Sequence, residues 1–61
     1  MIFEYFNQQG ERTCYTEYPE CVKDDYDKGN LLAMKQCGYK FKIDGHTVTY
    51  RKLLEVVKVS R

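Results

Sequence analysis

Residues 39–43 read Tyr-Lys-Phe-Lys-Ile and run straight into Asp44-Gly45. Strict alternation of apolar and cationic residues has a period of two. It defines a strand with one buried face and one solvated basic face. Asp-Gly suits a two-residue hairpin turn, because both positions must take positive φ. The chain therefore has to fold back here as an antiparallel ribbon, with His46-Thr47-Val48 as the short returning strand. A slip of one residue would bury Lys40 and Lys42 and expose Phe41.

The rest of the chain is read around that ribbon. Ile2 to Phe6 is rich in strand formers, Asn7-Gln8-Gln9-Gly10 supplies turn chemistry, and Glu11 to Thr16 reads as the second strand of a first hairpin. Pro19 donates no ladder hydrogen bond, so that strand should stop near Glu17 or Tyr18. Glu20 to Asn30 suits helix or loop. Asp24 or Asp25 can cap a helix there, or Asn30 can cap a shorter one over Leu31–Cys37 that ends at Gly38. Thr49 is an N-cap for a last helix, in which Tyr50, Leu53, Leu54 and Val57 form one apolar stripe. The expectation is a single α+β domain over residues 1–61: a small antiparallel sheet of three to four strands with two helices, in the order β-β-α-β-β-α. Its expected core is Phe3, Tyr5, Leu32, Phe41, Ile43, Leu53, Leu54 and Val57.

At 61 residues, such a domain buries only about 60% of its unfolded surface, so its stability should be marginal. A hydrophobic content of 43% is enough for one small core and too much for a disordered tail. No apolar run is long enough to span a bilayer, so no membrane partner is expected. Met1-Ile2-Phe3-Glu4-Tyr5 lacks the basic start and apolar stretch of a signal peptide, which points to a cytoplasmic location. Three cysteines, Cys14, Cys21 and Cys37, are an odd number and read as small apolar residues without a disulfide framework.

No constellation carries a catalytic signature, so the protein is expected not to be an enzyme. The spacing Cys14-x6-Cys21-x15-Cys37-x8-His46 lacks the closely paired ligands of a structural zinc site. A cysteine nucleophile paired with His46 would need a sheltered pocket and an oxyanion hole that so short a chain does not supply. Asp25-Tyr26-Asp27-Lys28-Gly29-Asn30 places its glycine one position too early for a calcium loop. No cofactor is expected.

Function should then be binding, and charge frames it. Residues 1–30 carry three cations and seven anions, a balance of −4, whereas residues 31–61 carry seven cations and two anions, a balance of +5. Such asymmetry concerns partners and steering. In the acidic half, Tyr15, Glu17, Tyr18, Glu20, Asp24 and Tyr26 make a candidate surface for a protein partner, since exposed tyrosine offers a rigid apolar body with a polar tip. In the basic half, Lys40, Lys42, Arg51, Lys52 and Lys58 make a candidate nucleic-acid surface if the third strand and the last helix lie side by side. Against it, Tyr39 and Phe41 read as buried and the pI is only about 7.7, low for a dedicated nucleic-acid binder. A homodimer also fits.

Phe3-Glu4-Tyr5-Phe6-Asn7-x-x-Gly10-Glu11 and Gly38-Tyr39-Lys40-Phe41-Lys42-Ile43-Asp44-Gly45 together resemble, in style, short single-domain proteins of phages and mobile elements of Gram-positive bacteria. The resemblance covers no catalytic residue. It implies docking on a host or rival macromolecule, including defence nucleases, as an inhibitor. The leading expectation is thus a protein-binding module, with a nucleic-acid-binding accessory protein as the alternative.

Overall fold

The computed structural model of the chain describes residues 1–59. Four strands form one antiparallel sheet: β1 (Phe3–Phe6), β2 (Arg12–Thr16), β3 (Lys40–Ile43) and β4 (His46–Val48). Three helices accompany it: α1 (Pro19–Asp27), α2 (Asn30–Gln36) and α3 (Tyr50–Val59). The fold is α+β, as expected, and the sheet order is β2-β1-β3-β4. The two hairpins lie edge to edge through an antiparallel pairing of β1 with β3.

The expected turns form. Asp44 (φ 51°) and Gly45 (φ 82°) both take positive φ between β3 and β4, the geometry whose twist matches the flanking strands. Asp44 also fastens the chain's start: the Ile2 N–H donates to its Oδ1 at 2.8 Å, and its own N–H donates to the Ile2 carbonyl at 2.8 Å. In the first hairpin, Asn7 Oδ1 accepts from the Gln9 and Glu11 N–H groups at 3.0 and 2.9 Å, and Gly10 takes φ 82°. Thr49 caps α3, its Oγ1 accepting from the Lys52 N–H at 3.1 Å.

The expected single helix between the hairpins is two helices. Pro19 ends the strand region and also starts α1, because its fixed φ suits the first helical position and its missing N–H has no partner there to lose. Thr16 Oγ1 turns the chain into it by accepting the Tyr18 N–H at 3.1 Å. Asp24 and Asp25 therefore sit inside a helix and cap nothing. Gly29, at φ 78°, breaks α1 from α2 and sits at the N-cap position of α2, one residue before the Asn30 considered from sequence. Gly38 ends the second helix region as expected, at φ 86°.

One apolar core joins the layers. Phe3 and Tyr5 of β1 and Phe41 and Ile43 of β3 share a face of the sheet and meet Val22 of α1, Leu31 of α2, and Leu53 and Val57 of α3. Tyr5 and Phe41 stand opposite each other with their rings edge to face, centroids 5.6 Å apart. Two expectations are corrected. Leu32 is 46% exposed while Leu31 is fully buried, because α2 turns the i, i+3 pair Leu31 and Met34 inward. Leu54 is half-buried and flanks the core. All three helices thus cover one face of the sheet and leave the other open.

Candidate functional site: the open face of the sheet

Strand alternation sends every second side chain away from the helices. Two cross-strand rows result. The first runs Tyr15, Glu4, Lys42, Thr47 across all four strands, and the second runs Arg12, Phe6, Lys40 across three. A β-bulge completes the second row. Cys14 pairs with Tyr5, but Arg12 pairs with Phe6, so Thr13 is the extra residue. Without it, Arg12 would point to the core side; the bulge returns it to the open face beside Tyr15.

Aromatic rings and cations interlock on this face. The Arg12 guanidinium lies 5.1 Å from the Tyr15 ring centroid, and Lys42 Nζ lies 4.9 Å from that of Phe6. Both are cation–π distances. Arg12 also donates to Glu4 Oε2 at 3.2 Å, which answers the one carboxylate of the two rows. Tyr15 is 52% exposed. Lys40 is exposed and, among the described residues, holds no ion pair. The rows therefore present three cations, one answered anion and two aromatic rings on a shallow, one-sided platform.

The acidic candidate surface is divided. Tyr15 belongs to this open face, with a cation on its ring. Tyr26 is on the helical side, half-buried against the core, with Lys23 Nζ and Lys58 Nζ each 5.6 Å from its ring centroid. Glu17, Tyr18 (62% exposed), Glu20 and Asp24 are exposed before and along α1. The acids of α1 are partly answered within the helix: Asp24 pairs with Lys28 at 2.9 Å and Asp27 with Lys23 at 2.6 Å.

The basic candidate surface is divided too. Lys40 and Lys42 are on the open face, whereas Arg51, Lys52 and Lys58 are exposed on α3, which packs against the other face. Strand β3 and helix α3 do touch, but across the core. The condition on which one basic surface rested is therefore not met.

Phe6 and Arg12 are the residues that sequence reasoning missed. Phe6 counted only as a strand former in an unbroken run from Ile2, although the outward phase of Glu4 and Phe6 follows once Phe3 and Tyr5 face the core. Arg12 carried no signal, because a bulge is not visible in composition.

A second concavity adjoins the platform. A cavity of about 300 Å³ opens where β3 and β4 meet the end of α2 and the start of α3. Phe41 and Val48 line it together with Lys35, Tyr39, Lys40, Thr47, Thr49 and Tyr50.

The thiols and His46 are scattered. Cys14 and His46 lie on β2 and β4, the opposite edge strands, Cys21 is on α1 and Cys37 ends α2. All three thiols are free, and burial, with Asp25 nearby, pushes the Cys14 thiol above its ordinary pKa. Among the described residues no three His, Cys, Asp or Glu side chains gather as a metal site would need, and no helix is long and apolar enough to cross a membrane.

Comparisons of this chain with protein-family models, with curated proteins and with solved structures find no match.

Proposed function

We propose that the protein is a binding module without catalysis of its own, and that its open sheet face holds single-stranded nucleic acid. The observation that carries this reading is the interlocking of Phe6 and Tyr15 with Lys42 and Arg12 on one exposed antiparallel face. Single-strand binders combine cations that follow the backbone with rings on which bases stack, and a four-stranded sheet is one scaffold that presents such rings. Here each ring already carries its cation. A base that takes the ring face releases the Lys42 ammonium or Arg12 guanidinium toward the adjoining phosphate, so one exchange makes both contacts. Lys40 adds a third cation at the end of the Phe6 row. A duplex hides its base faces and gains only the charge contacts.

Docking on a protein through the exposed Glu17, Tyr18, Glu20 and Asp24 is the competing reading; the phage-like resemblance implies docking on a macromolecule but assigns no residues to it. Fluorescence anisotropy of a labelled single-stranded oligonucleotide separates the two. With three cations on phosphates, log K should fall against log salt with a slope of about −2. Phe6→Ala and Tyr15→Ala should each weaken binding about tenfold. Joint reversal of Lys40 and Lys42 to Glu should abolish it, and reversal of Glu17, Glu20 and Asp24 to Lys should leave it equal or stronger. No oligonucleotide binding, together with capture of a protein partner that fails when those three acids are reversed, would refute the open-face reading.

A further inference from the structure

The cavity beside Lys40 has the chemistry of an anion site. We infer that it binds the phosphomonoester of a nucleoside, and that the phosphate is the end of the strand lying on the open face. This rests on the reading of that face given above.

Charge is the first argument. Lys35 and Lys40 both line the cavity, none of its lining residues is acidic, and among the described residues neither lysine holds a carboxylate. A phosphomonoester carries about −1.5 to −2 charges at neutral pH, whereas each internal phosphate of a strand carries one. Two lysines without a carboxylate partner suit the dianion, although the Lys35 ammonium also lies 5.8 Å from the Tyr50 ring centroid.

Hydrogen bonding is the second. Thr49 Oγ1 accepts the Lys52 N–H at 3.1 Å, so its own O–H is left to donate. Thr47, Tyr39 and Tyr50, all hydroxyl-bearing, line the cavity as well. The Tyr50 phenol is held above its ordinary pKa by burial and then by Tyr26, so it stays a donor through the physiological range. Thr49 and Tyr50 also form the start of the ten-residue α3, whose first-turn N–H groups carry partial positive charge.

Size and position are the third. About 300 Å³ is the small end of the range for ligand sites, enough for one nucleotide and little more. Phe41 and Val48 add apolar lining beside the polar residues. Lys40 and Thr47 belong both to the cavity and to the open-face rows. A strand stacked along Phe6 would reach the cavity through Lys40, the cross-strand partner of Phe6.

The test uses one oligonucleotide in three forms: phosphorylated at the 5′ end, phosphorylated at the 3′ end, and with both ends hydroxyl. One phosphorylated form should bind about tenfold more tightly than the hydroxyl form. Lys35→Gln, which removes the ammonium and keeps a polar side chain of similar reach, should erase that advantage and leave the hydroxyl form's affinity unchanged. Equal binding of all three forms, or an advantage that survives Lys35→Gln, would overturn the cavity inference while the open-face reading stands. If no form binds, the open-face reading falls, and adenosine monophosphate then decides the cavity. Amide shifts at Thr49 and Tyr50 that vanish in Lys35→Gln support a free-nucleotide site, and their absence overturns the site altogether.

Discussion

At the scale of single residues, adjacent leucines have opposite fates. Leu31 is fully buried and Leu32 is 46% exposed. Leu31→Ala should cost about 2–5 kcal/mol, from lost transfer free energy and the cavity left behind. Leu32→Ala should cost less than about 1 kcal/mol. Thermal or urea unfolding of the two variants measures the difference, and equal costs would mean that α2 packs in another phase. Sequence alone did not set that phase, because a seven-residue helix is too short for periodicity to choose between neighbouring leucines. Val22 was missed for a related reason: a segment open to helix or loop has no face to assign.

Tyr5 is the other residue with a measurable signature. It is 2% exposed, and its hydroxyl donates to Asp25 Oδ2 at 3.1 Å. Burial first, and then the charge and hydrogen bond of Asp25, push its phenol well above the ordinary 10.0. The unfolded chain therefore releases this proton at lower pH than the folded one. The stabilisation is fully present below about pH 10 and is lost as pH rises above it. Urea midpoints at about pH 9 and about pH 11 should differ more in the wild type than in Tyr5→Phe. That variant should itself cost about 1–2 kcal/mol at neutral pH through the lost hydrogen bond. An equal alkaline loss in both proteins would contradict the assignment.

At the scale of elements, the second hairpin was the most legible part of the fold. Five alternating residues and an Asp-Gly turn agree on strand, face and register, and β3, β4 and the turn form as read. Gly45 has open space around the position of an added Cβ, so Gly45→Ala meets only backbone strain. It should cost about 1 kcal/mol from the positive φ alone. Thr49→Ala should cost about the same through the lost cap. Both are read by thermal unfolding, and a neutral Gly45→Ala would argue against the left-handed turn. Less legible was the join of α1 and α2. Pro19 is informative both as a strand breaker and as a helix starter, and only the first meaning was applied. The bulge at Thr13 was not legible at all, because pairing two residues against one depends on the partner strand.

At the scale of the whole molecule, folding brings strands of the acidic and basic halves of the sequence into one sheet. The sheet order sets the acidic half's β1 beside the basic half's β3, so Glu4 faces Lys42 across the strands. Arg12, Lys23 and Lys28, the cations of the acidic half, take up Glu4, Asp27 and Asp24. What remains is a sheet face where cations outnumber carboxylates, with rings between them. Half of that candidate site was named from sequence as Lys40, Lys42 and Tyr15. Its unity was not, because these residues were placed in two rival surfaces.

Amide chemical-shift mapping during titration with a single-stranded oligonucleotide tests the central claim most directly. The open-face account expects the largest shifts at Glu4, Phe6, Tyr15, Lys40 and Lys42, with the exposed side of α1 at Glu20 and Asp24 unmoved. Shifts confined to α1, or none at any concentration at moderate salt, would contradict it.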